Sequence, residues 1–377
     1  MRIISCYQKT DFEGELKQVD DTIVFLNWCE AGTYYPIEQL SVKDTKNCLY
    51  KVLKYANPKD YEKIWFINSD ANLLRNYEMM ANVMGLNGDI NVTSMPFYFL
   101  WKGFVAEENL NVETKYNAIL MSRVPKLSRI KIISKFYKDE KFCYSLIGDN
   151  THIDILRDIN ILNDGKYFIL QDKNTYETTK VNADFQMQNF IINGLNLTKN
   201  KFLSEKKWDE DNKWEWFVND VPIEYFQSCV DIVGESYVGE SSIQITEKTV
   251  KPLLYKKPFL TISGKGHHEF LKKHGFELYD ELFDYEFDDI EEAPKRISAI
   301  EKNIETILSM KTKDLIHEID KLDDKLEHNK NNFWRLKDIY PVETNNNKIH
   351  DYIDQFFVEK CNYQEKNDAY EFEIQCC

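Results

Sequence analysis

Short apolar runs alternate with amphipathic stretches along the first part of the chain. Residues 22–26 and 63–68 are strand-length runs rich in β-branched and aromatic side chains, and 47–55 and 71–84 repeat their apolar positions at helical spacing. Residues 90–93 and 97–101 supply further strand material. This β-α-β-α order predicts a mostly parallel sheet with helices on its faces. A second series starts near residue 113. Residues 115–121 form a buried-type strand, 122–128 a polar loop, 129–137 a basic helix and 142–148 a strand and turn. Between 149 and 220 the pattern weakens, and 206–216 is a charged, Trp-rich surface segment. It resumes with a strand at 229–235, a charged helix over 245–254 and a strand at 259–263. After residue 288 the chain turns to long helix, over 291–307 and 311–326, and the polar, aromatic tail from 345 carries one more at 349–361. No repeat of fixed period runs through the sequence. The reading is two α/β units, 1–112 and 113–310, followed by a helical extension over 311–377.

Composition supports large cores. Of 377 residues, 43% are hydrophobic and 14% aromatic, while thirteen Gly and nine Pro are too few for a fibrous or disordered chain. The formal charge of −15 disfavours broad nucleic-acid binding, so duplex DNA is not expected as the main partner, although a local basic cleft is compatible with it. None of the eight cysteines forms a CxxC pair, and most lie in apolar runs, as Cys143 and Cys229 do. Buried free thiols in a reducing compartment are the expectation. The apolar start, residues 1–7, is too short and too soon polar for a signal peptide, so none is expected, and no apolar run approaches the roughly 20 residues that span a bilayer. A soluble, cytoplasmic protein is expected.

The chemistry concentrates at strand ends. Thr246, Glu247 and Lys248 open the helix after the 229–235 strand. There a carboxylate, an ammonium and backbone N–H groups can meet one ligand: ribose hydroxyls at Glu247, phosphates at Lys248 and the helix start. The plainer reading is a solvated amphipathic helix. Glu235 and Glu240 flank the same connection, at the carboxyl edge where open α/β sheets bind ligands. Arg123 and Arg129 follow the 115–121 strand, where an arginine fork can neutralise a pyrophosphate; surface charge is the alternative. Neither GxGxxG nor GxxxxGK[ST] occurs, so basic side chains would replace a glycine-rich phosphate loop. Gly264 begins a Gly-x-Gly turn that lets a ligand approach the backbone. His267 and His268 are adjacent, which is poor spacing for one metal ion. Asp20-Asp21, Asp209-Glu210-Asp211 and Asp288-Asp289 are acidic groups of the kind metal-dependent glycosyltransferases use, but such groups are common in an acidic chain. In the first unit, Glu30 and Asp70 end the two clearest strands and are candidates for a general base, with a helix cap as the alternative for Asp70.

The run Ile245-Thr246-Glu247-Lys248, with Pro252-Leu253 and Lys257-Pro258-Phe259 after it, resembles the donor-site motif of α1,3-fucosyltransferase-like enzymes. It is closer still to a family of glycosyltransferases from phages and large DNA viruses. The similarity extends through Phe270-Leu271, His274-Gly275-Phe276, Phe283-Asp284, Tyr285 and Arg296, and back to Lys115, Arg123, Arg129, Tyr144-Ser145 and the 229–235 strand. It covers about 113–300 at scattered positions. The resemblance implies a GT-B fold of two Rossmann-like domains, with Glu247 on the nucleotide ribose, Lys248 and Arg129 on the diphosphate, and Arg123 assisting. The first unit has no segment that matches, so neither base nor acceptor site carries over. Thr249 and Lys251 depart from the fucosyltransferase pattern and leave the sugar open. The expectation is transfer from a nucleoside-diphosphate sugar, without an obligatory metal or other cofactor, to a glycan, a glycoprotein or a modified DNA base. The extension over 311–377 would pack back on the first unit. The alternatives are a non-catalytic nucleotide-binding or scaffolding α/β protein and a metal-dependent GT-A transferase.

Overall fold

Two parallel sheets, each with its own hydrophobic core, organise the molecule. The computed structural model describes residues 2–6, 11–17, 19–27, 48–70, 72–86, 88–94, 112–122, 126–146, 160–162, 167–171, 178–182, 221–235, 238 and 243–339. The strand expected over 97–101, the charged segment 206–216 and the helix at 349–361 lie outside the described residues.

The first sheet has the order β1 (Arg2–Ser5), β2 (Ile23–Asn27), β3 (Ile64–Asn68) and β4 (Asn91–Ser94), all parallel. Alternation along the strands sends Ile23 and Phe25 of β2, with Ile64 and Phe66 of β3, into one core. That core also takes Phe12 and Leu16, Leu49 and Val52, and Leu73, Tyr77 and Met80 from the helices Phe12–Leu16, Cys48–Tyr55 and Leu73–Met84. Val24, Leu26 and Ile67 are equally buried, so the strands read as continuous apolar runs, as parallel strands covered on both faces do. The sequence reading did not assign β1 or the helix after it, which are four and five residues long.

The second sheet has the order β11 (Phe259–Ile262), β10 (Ser228–Gly234), β5 (Tyr116–Ser122) and β6 (Phe142–Leu146), again all parallel. From β5 the chain crosses through the helix Leu127–Phe136 to β6 on one side. It later returns to the other side of β5 with β10, and moves outward through the helix Glu247–Leu254 to β11. The direction of winding therefore reverses between β5 and β10, and that reversal is where ligands enter open α/β sheets. A three-stranded antiparallel sheet, β7 (Asn160–Leu162), β8 (Tyr167–Gln171) and β9 (Thr178–Asn182), is inserted after β6, where the sequence pattern weakens.

Three helices complete the described chain: Ala293–Ser309, Thr312–Asp320 and Asp323–Ile339. The single helix expected over 311–326 is broken by a turn at Lys321 and Leu322. The carbonyls that end the first of these helices are satisfied at the amino edge of the second sheet. Asn117 Nδ2 donates to Ile307 O (2.8 Å) and Met310 O (3.0 Å), and Lys141 Nζ donates to Leu308 O (3.0 Å) and Met310 O (2.7 Å). Leu315, Leu322, Leu326, Phe333 and Leu336 all join the core of the second sheet. The extension was expected to pack on the first unit. Its described part instead spends its apolar stripe on the second, beside the helix Glu247–Leu254, and residues 340–377 lie outside the described residues. Cys6, Cys48, Cys143 and Cys229 are buried, as their apolar neighbours predict. Among the described residues no helix is long and apolar enough to cross a membrane.

Candidate functional site

The carboxyl ends of β5 and β10 meet at Arg129. This residue sits in the first turn of the helix Leu127–Phe136 and is 2% exposed. Its Nη2 donates to Gly234 O at 2.6 Å and to Glu235 O at 3.0 Å, while Nη1 reaches Ser122 Oγ at 3.5 Å. One guanidinium thus ties the last residues of the two strands that flank the winding reversal. The absence of a side chain at residue 234 permits this. A Cβ on Gly234 would fall 2.7 Å from Arg129 Nε and 2.9 Å from Arg129 Cγ.

Glu235 leaves β10 from that point and organises the next element. Its carboxylate accepts from the Thr246 N–H (3.2 Å) and the Thr249 hydroxyl (2.5 Å) through Oε1, and from the Thr246 hydroxyl (2.6 Å) through Oε2. Burial raises the Glu235 pKa, and the positive charge of Lys248 and the two threonine hydroxyls oppose that shift. Thr246 is the N-cap of the helix Glu247–Leu254, its hydroxyl oxygen accepting from Lys248 N. The helix start is therefore fixed from beneath by Glu235 and from within by Thr246. At its rim, Lys248 Nζ pairs with Glu247 Oε1 at 2.6 Å and donates to Thr246 Oγ1 at 3.2 Å. The Lys248 side chain is 17% exposed against 9% for Glu247, so of the pair the lysine is the more accessible.

Lys251, one turn on, points the other way. It pairs with Asp231 of β10 at 2.9 Å, and its Nζ lies 4.6 Å from the centre of the Tyr225 ring. Lys257 donates to Tyr225 O (2.8 Å) and to Ser228 O, below the same ring. Burial pulls the Lys257 pKa down to about 8 against the attraction of Asp231. Lys251 is thus part of the floor that seats the helix. The sequence reading left it open as a determinant of the sugar, and the structure turns it inward.

At the edge of β11, Gly264 is buried and the preceding carbonyl, Ser263 O, accepts from Arg296 Nε at 3.0 Å. The rest of that guanidinium is spent on Ile290 O, Glu291 O and Val238 O, so Arg296 clamps the loops around this edge. Asp288 accepts from the His268 and Glu269 backbone N–H groups at 3.0 Å and bonds His268 Nδ1 at 3.0 Å. It caps the helix His267–Lys273 and does not pair with Asp289 toward a metal ion. Among the described residues no group of three or more His, Cys, Asp or Glu is placed to hold one. His267 is fully buried with neither ring nitrogen hydrogen-bonded, and burial pulls its pKa down to about 3.

In the first unit, Asp70 follows β3 and is fully buried. Its Oδ1 accepts from Asn72 N (2.9 Å) and from Ile243 N (3.1 Å), and its Oδ2 accepts from Asn76 Nδ2 (3.0 Å). It therefore braces the start of the helix Leu73–Met84 without being its N-cap, a position that falls to Asn72, and it also reaches the segment before Thr246. Glu30, Arg123 and Glu240 lie outside the described residues.

No family model and no curated protein matches the chain. Among solved structures it is similar to the DNA-modifying enzyme β-glucosyltransferase, studied with and without uridine diphosphoglucose. The identity is 9% over 90% of this chain and 97% of that one, with a TM-score of 0.36. It is similar also to T4 phage β-glucosyltransferase, at 10% identity over 90% and 97% with a TM-score of 0.36. A third is a mutant of the T4 phage enzyme in complex with UDP-glucose, at 10% identity over 89% and 82% with a TM-score of 0.29. At those scores no residue of this chain takes a role from theirs.

The structure brings Arg129, Glu235, Thr246, Glu247 and Lys248 into one cluster. It adds Gly234, Thr249, Asp231 and Lys251, which the sequence reading did not assign to the site. Gly234 had a signal, a glycine ending an apolar strand. Thr249 had none beyond its place one helical turn after Thr246.

Proposed function

We propose that the protein is a glycosyltransferase that binds a nucleoside-diphosphate sugar at the carboxyl edge of its second sheet. The carrying observation is the framed helix start at the winding reversal, where the Glu247–Lys248 pair stands at the rim. Without ligand, each of these side chains is the other's partner. An incoming diphosphate would draw Lys248 away and leave the Glu247 carboxylate to accept from ribose hydroxyls. One ion pair then separates into two ligand contacts, with the ammonium placed where charge grows on the departing diphosphate. Arg129 acts from behind the site. It holds Gly234 and Glu235, so its part is positioning, and the same holds for Glu235 toward Thr246 and Thr249. Two parallel sheets with separate cores fit a GT-B arrangement, in which the acceptor, a glycan, glycoprotein or modified base hydroxyl, enters from the side of the first sheet.

The test is titration of nucleoside diphosphates by calorimetry, with Mn²⁺ and with EDTA, together with slow hydrolysis of a panel of sugar nucleotides. Binding in EDTA with hydrolysis supports the proposal, strictly metal-dependent binding favours a GT-A transferase, and binding without turnover of any sugar nucleotide favours a non-catalytic nucleotide-binding module. Glu247→Ala and Lys248→Ala should each lower kcat/KM for hydrolysis by about 100-fold while the melting temperature stays near wild type. Full activity in both variants places the site elsewhere.

A further inference from the structure

We propose that Asp70 is a positioning residue that latches the first unit onto the donor-binding segment of the second. This inference rests on the nucleotide-sugar reading of the Thr246–Lys248 helix start. The Asp70 carboxylate belongs to the first sheet by its position after β3, yet its Oδ1 accepts from the backbone N–H of Ile243, 3.1 Å away. Ile243 lies three residues before the N-cap Thr246, in the segment that delivers Thr246 to Glu235.

The latch is held rigidly on its own side. The Asp70 N–H donates to Asn68 Oδ1 (2.7 Å), and Asp70 O accepts from Ser94 Oγ (2.7 Å) at the end of β4. Asn72 N and Asn76 Nδ2 fix the carboxylate itself. The far side is fixed as well: Ile243 is buried, and its Cδ1 lies 3.4 Å from where a Cβ on Gly266 would sit. A weaker, purely electrostatic link between the units lies at the surface. Glu291, paired with Lys265 at 2.8 Å, also feels the charge of Arg75 from the helix Leu73–Met84. A buried hydrogen bond to a carboxylate is shared between the half that would hold the acceptor and the segment that aims the donor helix, so donor geometry depends on the two units being engaged.

A latch needs an acceptor oxygen facing Ile243 N, whereas a general base needs a carboxylate. Asp70→Asn keeps the acceptor, because Asn76 can turn its own amide to accept from the new one. Asp70→Ala removes it. The experiment measures donor KM and kcat for sugar-nucleotide hydrolysis in both variants and in Ile243→Pro, which deletes the N–H and leaves Asp70 in place, and it measures hydrogen exchange at the Ile243 amide in the wild type and the two Asp70 variants. The expected result is a donor KM raised about tenfold in Asp70→Ala and Ile243→Pro with kcat within threefold of wild type. Exchange at Ile243 should rise at least tenfold in Asp70→Ala, and Asp70→Asn should keep a kcat near wild type. A kcat collapse of a thousandfold in Asp70→Asn at unchanged donor KM would overturn the latch in favour of a base. Unchanged KM and exchange in Asp70→Ala would overturn it outright. If the wild-type protein neither binds nor turns over a sugar nucleotide, the proposed function fails, and the exchange measurement alone still decides the latch. Unchanged exchange at the amides of β10 shows that each variant is folded.

Discussion

A methyl group on Gly234 has nowhere to go, because Arg129 occupies the space within 3.0 Å with its Nε, Cγ and Cδ atoms. The guanidinium cannot step aside without losing both strand-end carbonyls that it holds. Gly234→Ala should therefore destabilise the protein by about 1–3 kcal/mol in chemical denaturation, the usual cost of overpacking. Donor affinity should weaken in the same variant, since Glu235 is displaced with its neighbour. A fall in stability with unchanged nucleotide binding would show that the strand ends and the helix start are not coupled. Much of this was open to sequence reading, but not its direction. Arg129 and Glu235 were legible as charged groups at strand ends, and only their burial shows that the arginine turns inward and supports the site from behind. A sequence gives the residue type and its place along a strand. The side of the sheet end on which a flexible side chain finds its partners is a matter of packing.

The helix Glu247–Leu254 is an element that its own sequence does not stabilise well. It is eight residues long, carries Pro252 inside, and leans on contacts at both ends. Glu235 and Thr246 fix the start, and the Lys251–Asp231 pair fixes the underside. Lys251→Met alone should cost about 3 kcal/mol or more, because it leaves Asp231 buried without its cation. The double variant Lys251→Met with Asp231→Asn should recover most of that loss, and thermal or denaturant unfolding of the three proteins measures the coupling. A double variant as unstable as the single one would mean that the pair is not what seats the helix. The motif was conspicuous in the sequence because its charges are dense. Its inner and outer charges look alike there, and Lys248 and Lys251 differ only in which face of one turn they occupy. The elements that escaped notice are β1 with its following helix and the meander β7–β9, the latter inserted in the stretch where the alternation of apolar runs and amphipathic helices weakens.

For the molecule as a whole, one buried histidine ties stability to pH. His267 is buried and unpaired at the edge of β11, with its pKa pulled down from 6.5 to about 3. Between those values the unfolded chain binds a proton at this site and the folded chain does not. Stability from this group is complete above pH 6.5 and is lost as the pH falls toward 3, to a total of about 5 kcal/mol. His267→Leu should flatten the acid limb of a stability profile measured across that window, and an unchanged limb would assign acid unfolding to other groups.

What the sequence determined by itself was the inventory: α/β alternation in two series, apolar strands buried on both faces, and a charged helix start downstream of a buried strand. These follow from local periodicity, because a strand or a helix of ordinary length carries its own burial pattern. The order of the strands, and with it the reversal of winding between β5 and β10, was decided only by tertiary structure. Parallel strands with similar apolar faces satisfy one another in any order, so nothing local to β10 says that it lies beside β5. The same holds for Asp70. It ends a strand in the first unit as the sequence suggested, but the amide that it meets belongs to a segment 173 residues away, and only the packing of one unit against the other brings the two together.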